Sequence, residues 1–201
     1  MSPSTSCENT PLDISDTDIL AAMKSIPGYI DITPADFREV YRAAYLMARQ
    51  RMMAALKASD IMRRPVHTVR EGDDLTTAAM VLAENGISGA PVIDNTGRVT
   101  GVISEKDFLR RMGAGTDDSF MRVIAHCLKN KGCLAEPMLN RKVADIMTSP
   151  AVTAPADISL KDISAVLSQK GINRLPIVDA GGKPSGIVTR SDLVNSFCQL
   201  G

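Results

Sequence analysis

The stretch from Asp60 to Asp107 returns as Asp145 to Asp192 at a constant offset of 85 positions, and no gap is needed to hold the two copies in step. Fifteen of the 48 aligned positions are identical, and they fall where backbone geometry is set. Asp-Ile-Met at 60–62 recurs at 145–147, Pro65 as Pro150, Gly86-Ile87 as Gly171-Ile172, and Pro91 and Asp94 as Pro176 and Asp179. Gly97, Gly101 and Asp107 likewise recur as Gly182, Gly186 and Asp192. A unit of this size is too small to bury a sufficient apolar core alone, so the two copies are expected to pack face to face about a pseudo-twofold axis. The cleft between them is the natural place for a ligand.

In the first copy, Pro65-Val66-His67-Thr68 reads as a short extended segment, followed by an amphipathic helix carrying Leu75, Ala78, Ala79 and Leu82. The apolar run Ala90-Pro91-Val92-Ile93, a turn at Asn95-Thr96-Gly97, a second strand over Val99 to Ser104 and a closing helix complete it. The second copy repeats the pattern with Leu160, Ile163 and Leu167 on its helix, strands over Leu175 to Val178 and Pro184 to Thr189, and a turn at Ala180-Gly181-Gly182. The fold class is therefore α+β: tandem βαββα repeats packed with pseudo-twofold symmetry, plus an N-terminal helical extension. Residues 1–58 are the leader and N-terminal helices, 59–112 the first repeat, 113–142 a helical insertion or linker, and 143–201 the second repeat.

Residues 1–11, rich in Ser, Thr and Pro, are expected to be disordered, and Asp16 to Ser25 to form a short helix outside the core. Thr33-Pro34-Ala35-Asp36 supplies an N-cap, a proline at the first helical position and a carboxylate at the third, opening a helix that runs to about Ala58. Its stripe of Phe37, Val40, Tyr41, Ala44, Ala48, Met52 and Ala55 serves either packing on its own domain or dimerisation. In the insertion, Phe120, Val123, Ile124 and Leu128 share one helical face, which is expected to cover part of a repeat.

Composition removes several function classes. Twenty-three basic residues balance 23 acidic ones with no run of like charge, so the footprint needed for a nucleic-acid backbone is missing. With 3% aromatics and no Trp there is no stacking platform for single-stranded bases, and any bound base must lie among aliphatic side chains. No apolar run approaches about 18 residues and the polar start lacks the regions of a secretory signal, so a cytoplasmic protein with no membrane partner is expected. Cys7, Cys127, Cys133 and Cys198 lie outside both copies without a CxxC pair, which favours reduced thiols. His126, Cys127 and Cys133 are three potential metal ligands without a fourth, so no metal site is expected.

Each copy closes with a strand that enters a helix through Gly-x-x-Ser/Thr-x-x-Asp: Gly101 to Asp107, and Gly186 to Asp192. Ser104 or Thr189 at the N-cap, with the free N–H groups of the first turn, favours a phosphate. Asp107 or Asp192, one turn on, is able to accept hydrogen bonds from both hydroxyls of a ribose. A bland capping box explains the same pattern, with each Asp an exposed cap, and Thr33 to Asp36 shows it where no ligand is expected.

The motif recurs in register behind GISGAPVID in the first copy and GINRLPIVD in the second, each preceded by DIM, Pro and Thr. This ensemble, over about 60–112 and 145–197, resembles the cystathionine beta-synthase (CBS) domain family, whose tandem pairs are also called Bateman modules. The resemblance implies a two-lobed disc with two clefts for adenosine-containing ligands, AMP, ADP, ATP or S-adenosylmethionine, acting as regulatory signals and not as obligatory cofactors. It implies ribose-binding roles for Asp107 and Asp192 and phosphate-binding roles for Ser104, Thr189 and Arg174, while Lys106 and Arg190, inside the two closing motifs, supply further cations for phosphate. The adenine pocket it implies is Met62, His67, Ile87, Ser88 and Ala90 in one copy, and Met147, Val152, Ile172, Asn173 and Leu175 in the other. Gly89 stands where the second copy has Arg174, so the clefts are expected to differ in phosphate affinity.

Neither repeat pairs a nucleophile with a base, so an enzyme is not expected and no catalytic residue is assigned. The leading expectation is a stand-alone regulatory module, a homodimer that signals to an unidentified regulated protein. The alternative is a structural homodimerisation module with no bound nucleotide.

Overall fold

Each copy turns its apolar run into the middle strand of a small sheet because that strand alone must be buried on both faces. The computed structural model describes residues 14–28, 31–112 and 140–199, together with Met121, Ile124, Leu128 and Met138. In the first copy β1 (Val69–Arg70), α4 (Leu75–Glu84), β2 (Gly89–Ile93), β3 (Val99–Ser104) and α5 (Glu105–Arg111) follow α1 (Asp16–Ser25), α2 (Pro34–Ala55) and α3 (Ala58–Ile61). The second copy gives β4 (Ala154–Pro155), α6 (Leu160–Gln169), β5 (Arg174–Val178), β6 (Pro184–Thr189) and α7 (Arg190–Gln199). β2 pairs parallel to β1 and antiparallel to β3, and β5 does the same between β4 and β6. The register is the same in both, Gly89 opposite Ser104 and Arg174 opposite Thr189, with a shift after Val92 in one sheet and after Ile177 in the other. The extended segment expected at residues 65–68 joins its ladder only afterwards, at Val69.

The repeats do not close their cores by themselves. The segment leading into the first repeat crosses to the second: Ala58 N–H donates to Ile158 O, Ser59 N–H to Ala156 O, and Arg63 and Ile187 exchange backbone bonds of 2.9 and 3.3 Å. Ala58 is fully buried among Leu160, Ile163, Leu175, Ile177 and Val188. Eighty-five positions on, Val143 N–H donates to Asp73 O, Ala144 N–H to Glu71 O, and Val102 and Thr148 exchange bonds of 3.0 and 2.9 Å. Val143 is fully buried with Val69, Leu75, Ala78, Val92 and Ile103. Each repeat thus lends a strap to the other, and burying its apolar side chains at roughly 1.5–3 kcal/mol each ties the two lobes into one unit.

The straps explain a glycine in each closing motif. A side-chain carbon on Gly101 would lie 2.6 Å from Met147 Sδ and 3.1 Å from Thr148 O, and one on Gly186 would lie 2.1 Å from Met62 Sδ. Gly101→Val must therefore push the Thr148 backbone away from β3. We expect it to lose about 1–3 kcal/mol of stability, read as a melting temperature lower by roughly 2–4 °C per kcal/mol. An unchanged melting curve would contradict this close approach.

The strap also corrects the expected end of α2. The helix stops at Ala55, where Leu56 turns extended (φ −74°, ψ 141°), because Leu56 O accepts from Leu160 N–H and the following residues bond to the second repeat. Its capping box at Thr33 and Asp36 forms as the sequence indicates. The packed stripe is narrower than expected: Phe37, Tyr41, Ala48 and Met52 are half-buried, whereas Val40, Ala44 and Ala55 are exposed. α1 packs along α2 with Ile19 buried, and Ile19 belongs to neither repeat's core cluster. In the insertion Ile124 is half-buried and Leu128 stands exposed, while Met138 packs into the first-repeat core. Residues 1–11, Phe120, Val123, Cys7, His126, Cys127 and Cys133 lie outside the described residues, and Cys198 falls within α7.

Candidate functional site

The crossed straps create two clefts, each walled by both repeats. The first, with a cavity volume of about 410 Å³, joins Ser104, Glu105, Lys106, Asp107 and Arg110 from the β3–α5 junction to Thr148, Ala151 and Val152 of the strap and to Ile172, Asn173 and Arg174. The second, about 630 Å³, joins Ile187, Thr189, Arg190 and Ser191 from the β6–α7 junction to Arg63, Arg64, Val66 and His67 of the other strap and to Ile87, Ser88 and Gly89. Both volumes fall in the roughly 300–1,000 Å³ range of small-molecule sites. Ser88, Asn173 and Arg174 line both clefts, which meet there.

The two closing motifs fold alike. Asp107 Oδ2 accepts from Ser104 N–H at 2.8 Å and from Ser104 Oγ at 2.7 Å. Asp192 Oδ2 accepts from Thr189 N–H at 2.9 Å and from Thr189 Oγ1 at 2.6 Å. Neither carboxylate is the exposed cap expected from sequence; each is only 7% exposed.

What differs is the second oxygen. Asp107 Oδ1 has a long contact of 3.4 Å from Thr148 Oγ1 and lies 4.0 Å from Arg110. Asp192 Oδ1 is held at 2.6 Å by Arg63 Nε. Arg63 and Thr148 are repeat equivalents, so a one-residue difference in the strap decides whether the carboxylate is hydrogen-bonded to a cation or only lies near one.

The pair Gly89 and Arg174 has a steric origin. A side-chain carbon on Gly89 would lie 1.2 Å from Arg174 Nη1, so the equivalent positions meet where the clefts join and only one can carry a large side chain. Arg174 Nη2 donates to Ser88 Oγ at 3.0 Å. Its Nη1 is buried with no hydrogen-bond partner among the described residues. Burial lowers the affinity of this guanidinium for its proton, with Asp107 and Glu105 acting in the opposite direction.

The structure places the other sequence-derived residues unevenly. His67, Ile87 and Ser88 line the second cleft, and Val152, Ile172 and Asn173 the first, so every cleft takes its apolar wall and its closing motif from different repeats. Met62 and Met147 pack over Gly186 and Gly101, and Ala90 and Leu175 are fully buried; none of the four lines a cleft wall. Arg190 directs Nε to Ile172 O at 3.2 Å and Nη2 to Leu167 O at 3.3 Å, so its guanidinium is already engaged by carbonyls. Arg63, Arg64, Arg110 and Lys170 were not singled out from sequence, although the departures of Arg63 and Arg64 from Thr148 and Ser149 in the aligned copy carry the signal. Among the described residues no cluster of His, Cys, Asp and Glu is arranged to hold a metal, and no helix is long and apolar enough to cross a membrane.

The family model of the CBS domain matches residues 58–114 and again 143–198, more than half of the chain. The chain belongs to the CBS domain family. An uncharacterized protein of Methanocaldococcus jannaschii is 34% identical over 150 residues, covering 69% of this chain and 89% of its own length. The chloroplastic CBS domain-containing protein CBSX1 of Arabidopsis thaliana is 28% identical over 145 residues, and the alignment spans 69% of this chain but 61% of CBSX1. Among solved structures, the CBS domain of a membrane protein from Sphaerobacter thermophilus superposes with a TM-score of 0.61 at 34% identity, covering 78% of this chain and 96% of that one. CBSX2 of Arabidopsis thaliana, solved in complex with AMP, superposes with a TM-score of 0.56 at 29% identity, covering 72% of this chain and 97% of that one. The CBS pair is thus the shared part, and the α1–α2 extension lies outside the matched residues.

Proposed function

We propose that this CBS pair is a regulatory module that binds adenosine-containing ligands in the clefts between its repeats and passes the signal on by conformational change. The observation that carries the reading is the recurrence of a buried Asp beside a hydroxyl N-cap in both closing motifs, with Asp107 on the wall of the first cleft and Asp192 behind Arg63 at the second. The AMP complex of CBSX2 supports an adenosine ligand. In the first cleft Asp107 receives the ribose hydroxyls, Ser104 and Lys106 face the phosphate, and Val152 and Ile172 sandwich the base; Arg174 reaches phosphate from the junction. In the second, Asp192 and Thr189 are the equivalents, with Asp192 shared with Arg63.

A ligand that touches both repeats shifts how they pack only by binding two arrangements with different affinity. The crossed straps make this coupling direct, since the wall of one cleft is also core of the other repeat. The regulated protein is a partner recognised by the changed surface, and the protein acts as a homodimer through the exposed Val40, Leu46 and Met47 of α2.

Calorimetric titration of nucleotide-stripped protein with AMP, ATP, S-adenosylmethionine and NAD tests the reading. Micromolar binding of at least one is expected. Silence from all four would overturn it in favour of a structural dimerisation module, in which the buried Asp residues serve only as caps.

A further inference from the structure

α2 carries faces of two kinds. One, with Phe37, Tyr41, Ala48 and Met52 half-buried, is turned to the rest of the protein, where the helix packs along α1 and α6. The other is bare: Val40 and Met47 stand 64% and 70% exposed, and Ala43 and Ala44 between them are exposed as well. These residues recur at helical spacing and share one side of the helix. Asp36 continues the line toward the N-terminus and Arg51 toward the C-terminus, both of them exposed.

This line is complementary to its own reverse. Counted outward from the midpoint between Ala43 and Ala44, Val40 mirrors Met47 and Asp36 mirrors Arg51. In a second copy of α2 laid antiparallel, Val40 of each copy meets Met47 of the other, and the carboxylate of Asp36 meets the guanidinium of Arg51 at both ends. Laid parallel, the same face sets Asp36 against Asp36 and Arg51 against Arg51. A foreign helix of uniform charge, acidic or basic, would likewise leave one end facing its own sign. The alanines at the centre let the two backbones approach closely.

We propose that the outer face of α2 is a docking surface for α2 of a second copy, the two helices pairing antiparallel about a twofold axis between Ala43 and Ala44. The contact is built on a segment outside the two matched CBS repeats and backs onto α6, so it joins the copies behind their second repeats. This pairing rests on the homodimeric reading of the protein and supplies its orientation and register.

Sedimentation velocity over a range of concentrations, on the full chain and its variants, tests the pairing. The native chain is expected to dimerise. Val40→Glu and Met47→Lys each set an unpaired charge against an apolar residue of the other copy, and each should weaken dimerisation at least about tenfold. The double variant brings the new carboxylate of one copy against the new ammonium of the other at both ends, and should recover most of the lost affinity. Parallel pairing would instead make the double variant weaker than either single one, because like charges would meet. Both positions are exposed, so far-ultraviolet circular dichroism should stay the same throughout. A native chain that remains monomeric overturns this inference and the homodimeric reading together. A dimer that the single variants leave intact, or that the double variant fails to recover, overturns this pairing alone. The adenosine-ligand reading is decided separately, by the nucleotide titration.

Discussion

Ala58→Asp is expected to cost about 3–5 kcal/mol, because it places an unpaired charge in an apolar interior. Against a total stability of roughly 5–15 kcal/mol, such a loss leaves the protein marginal or unfolded. The position is fully buried among Leu160, Ile163, Leu175, Ile177 and Val188, all of the second repeat, although it lies just ahead of the first. Ala55→Asp, three residues earlier on the exposed end of α2, should be nearly neutral. Urea unfolding of the two variants reads the contrast. Equal midpoints would mean that the strap is not part of the second core.

Asp107→Ala should weaken an adenosine ligand by at least about 100-fold at the first cleft. Hydrogen bonds to a charged acceptor are worth roughly 1.5–3 kcal/mol each, and two ribose hydroxyls lose theirs together. The substitution also removes the acceptor for Ser104 N–H and Oγ, which adds about 1–2 kcal/mol of lost stability. Asp107→Asn keeps the volume and separates the two effects, since it should retain most of the stability and still bind poorly. Asp192→Ala should change nucleoside affinity much less, because Arg63 already occupies Oδ1. An Asp107→Ala protein that binds AMP as tightly as the native chain would remove Asp107 from the site.

The strands and closing helices were legible because two copies wrote the same pattern. Val99–Ser104 and Pro184–Thr189 stand at equivalent positions, bounded by the same Gly turn and the same capping Asp. The end of α2 was not legible, since Leu56 continues the apolar rhythm of a helix and only the distant Leu160 N–H draws it out into extended backbone. Crossing of the straps was equally hidden. Alignment shows that Ala58 and Val143 are equivalents, but equivalence does not say which repeat's core each one enters.

Site residues divided along the same line. Those inside the closing motifs lie on the cleft walls or directly behind them, whereas Met62, Met147, Ala90 and Leu175 were drawn in by their position beside the motifs and pack in the interior. Arg63 and Asp192 are 129 positions apart, and a one-dimensional pattern gives no hint that their side chains touch. The difference between Gly89 and Arg174, by contrast, stands in the aligned copies, and its steric cause is that the two residues meet.

Exchange of the straps bears on how the polypeptide matures as it leaves the ribosome. When residues 69–112 have emerged, their hydrophobic interior still lacks Val143, so the first repeat cannot seal itself until synthesis has passed the insertion. Meanwhile Ala58 waits for the second repeat, whose cluster extends to Leu193. Neither half is a finished body during translation, and folding is deferred until nearly the whole chain is available. A nascent chain stalled after the first repeat would present apolar surface to chaperones, while the completed one has the residues that close both interiors.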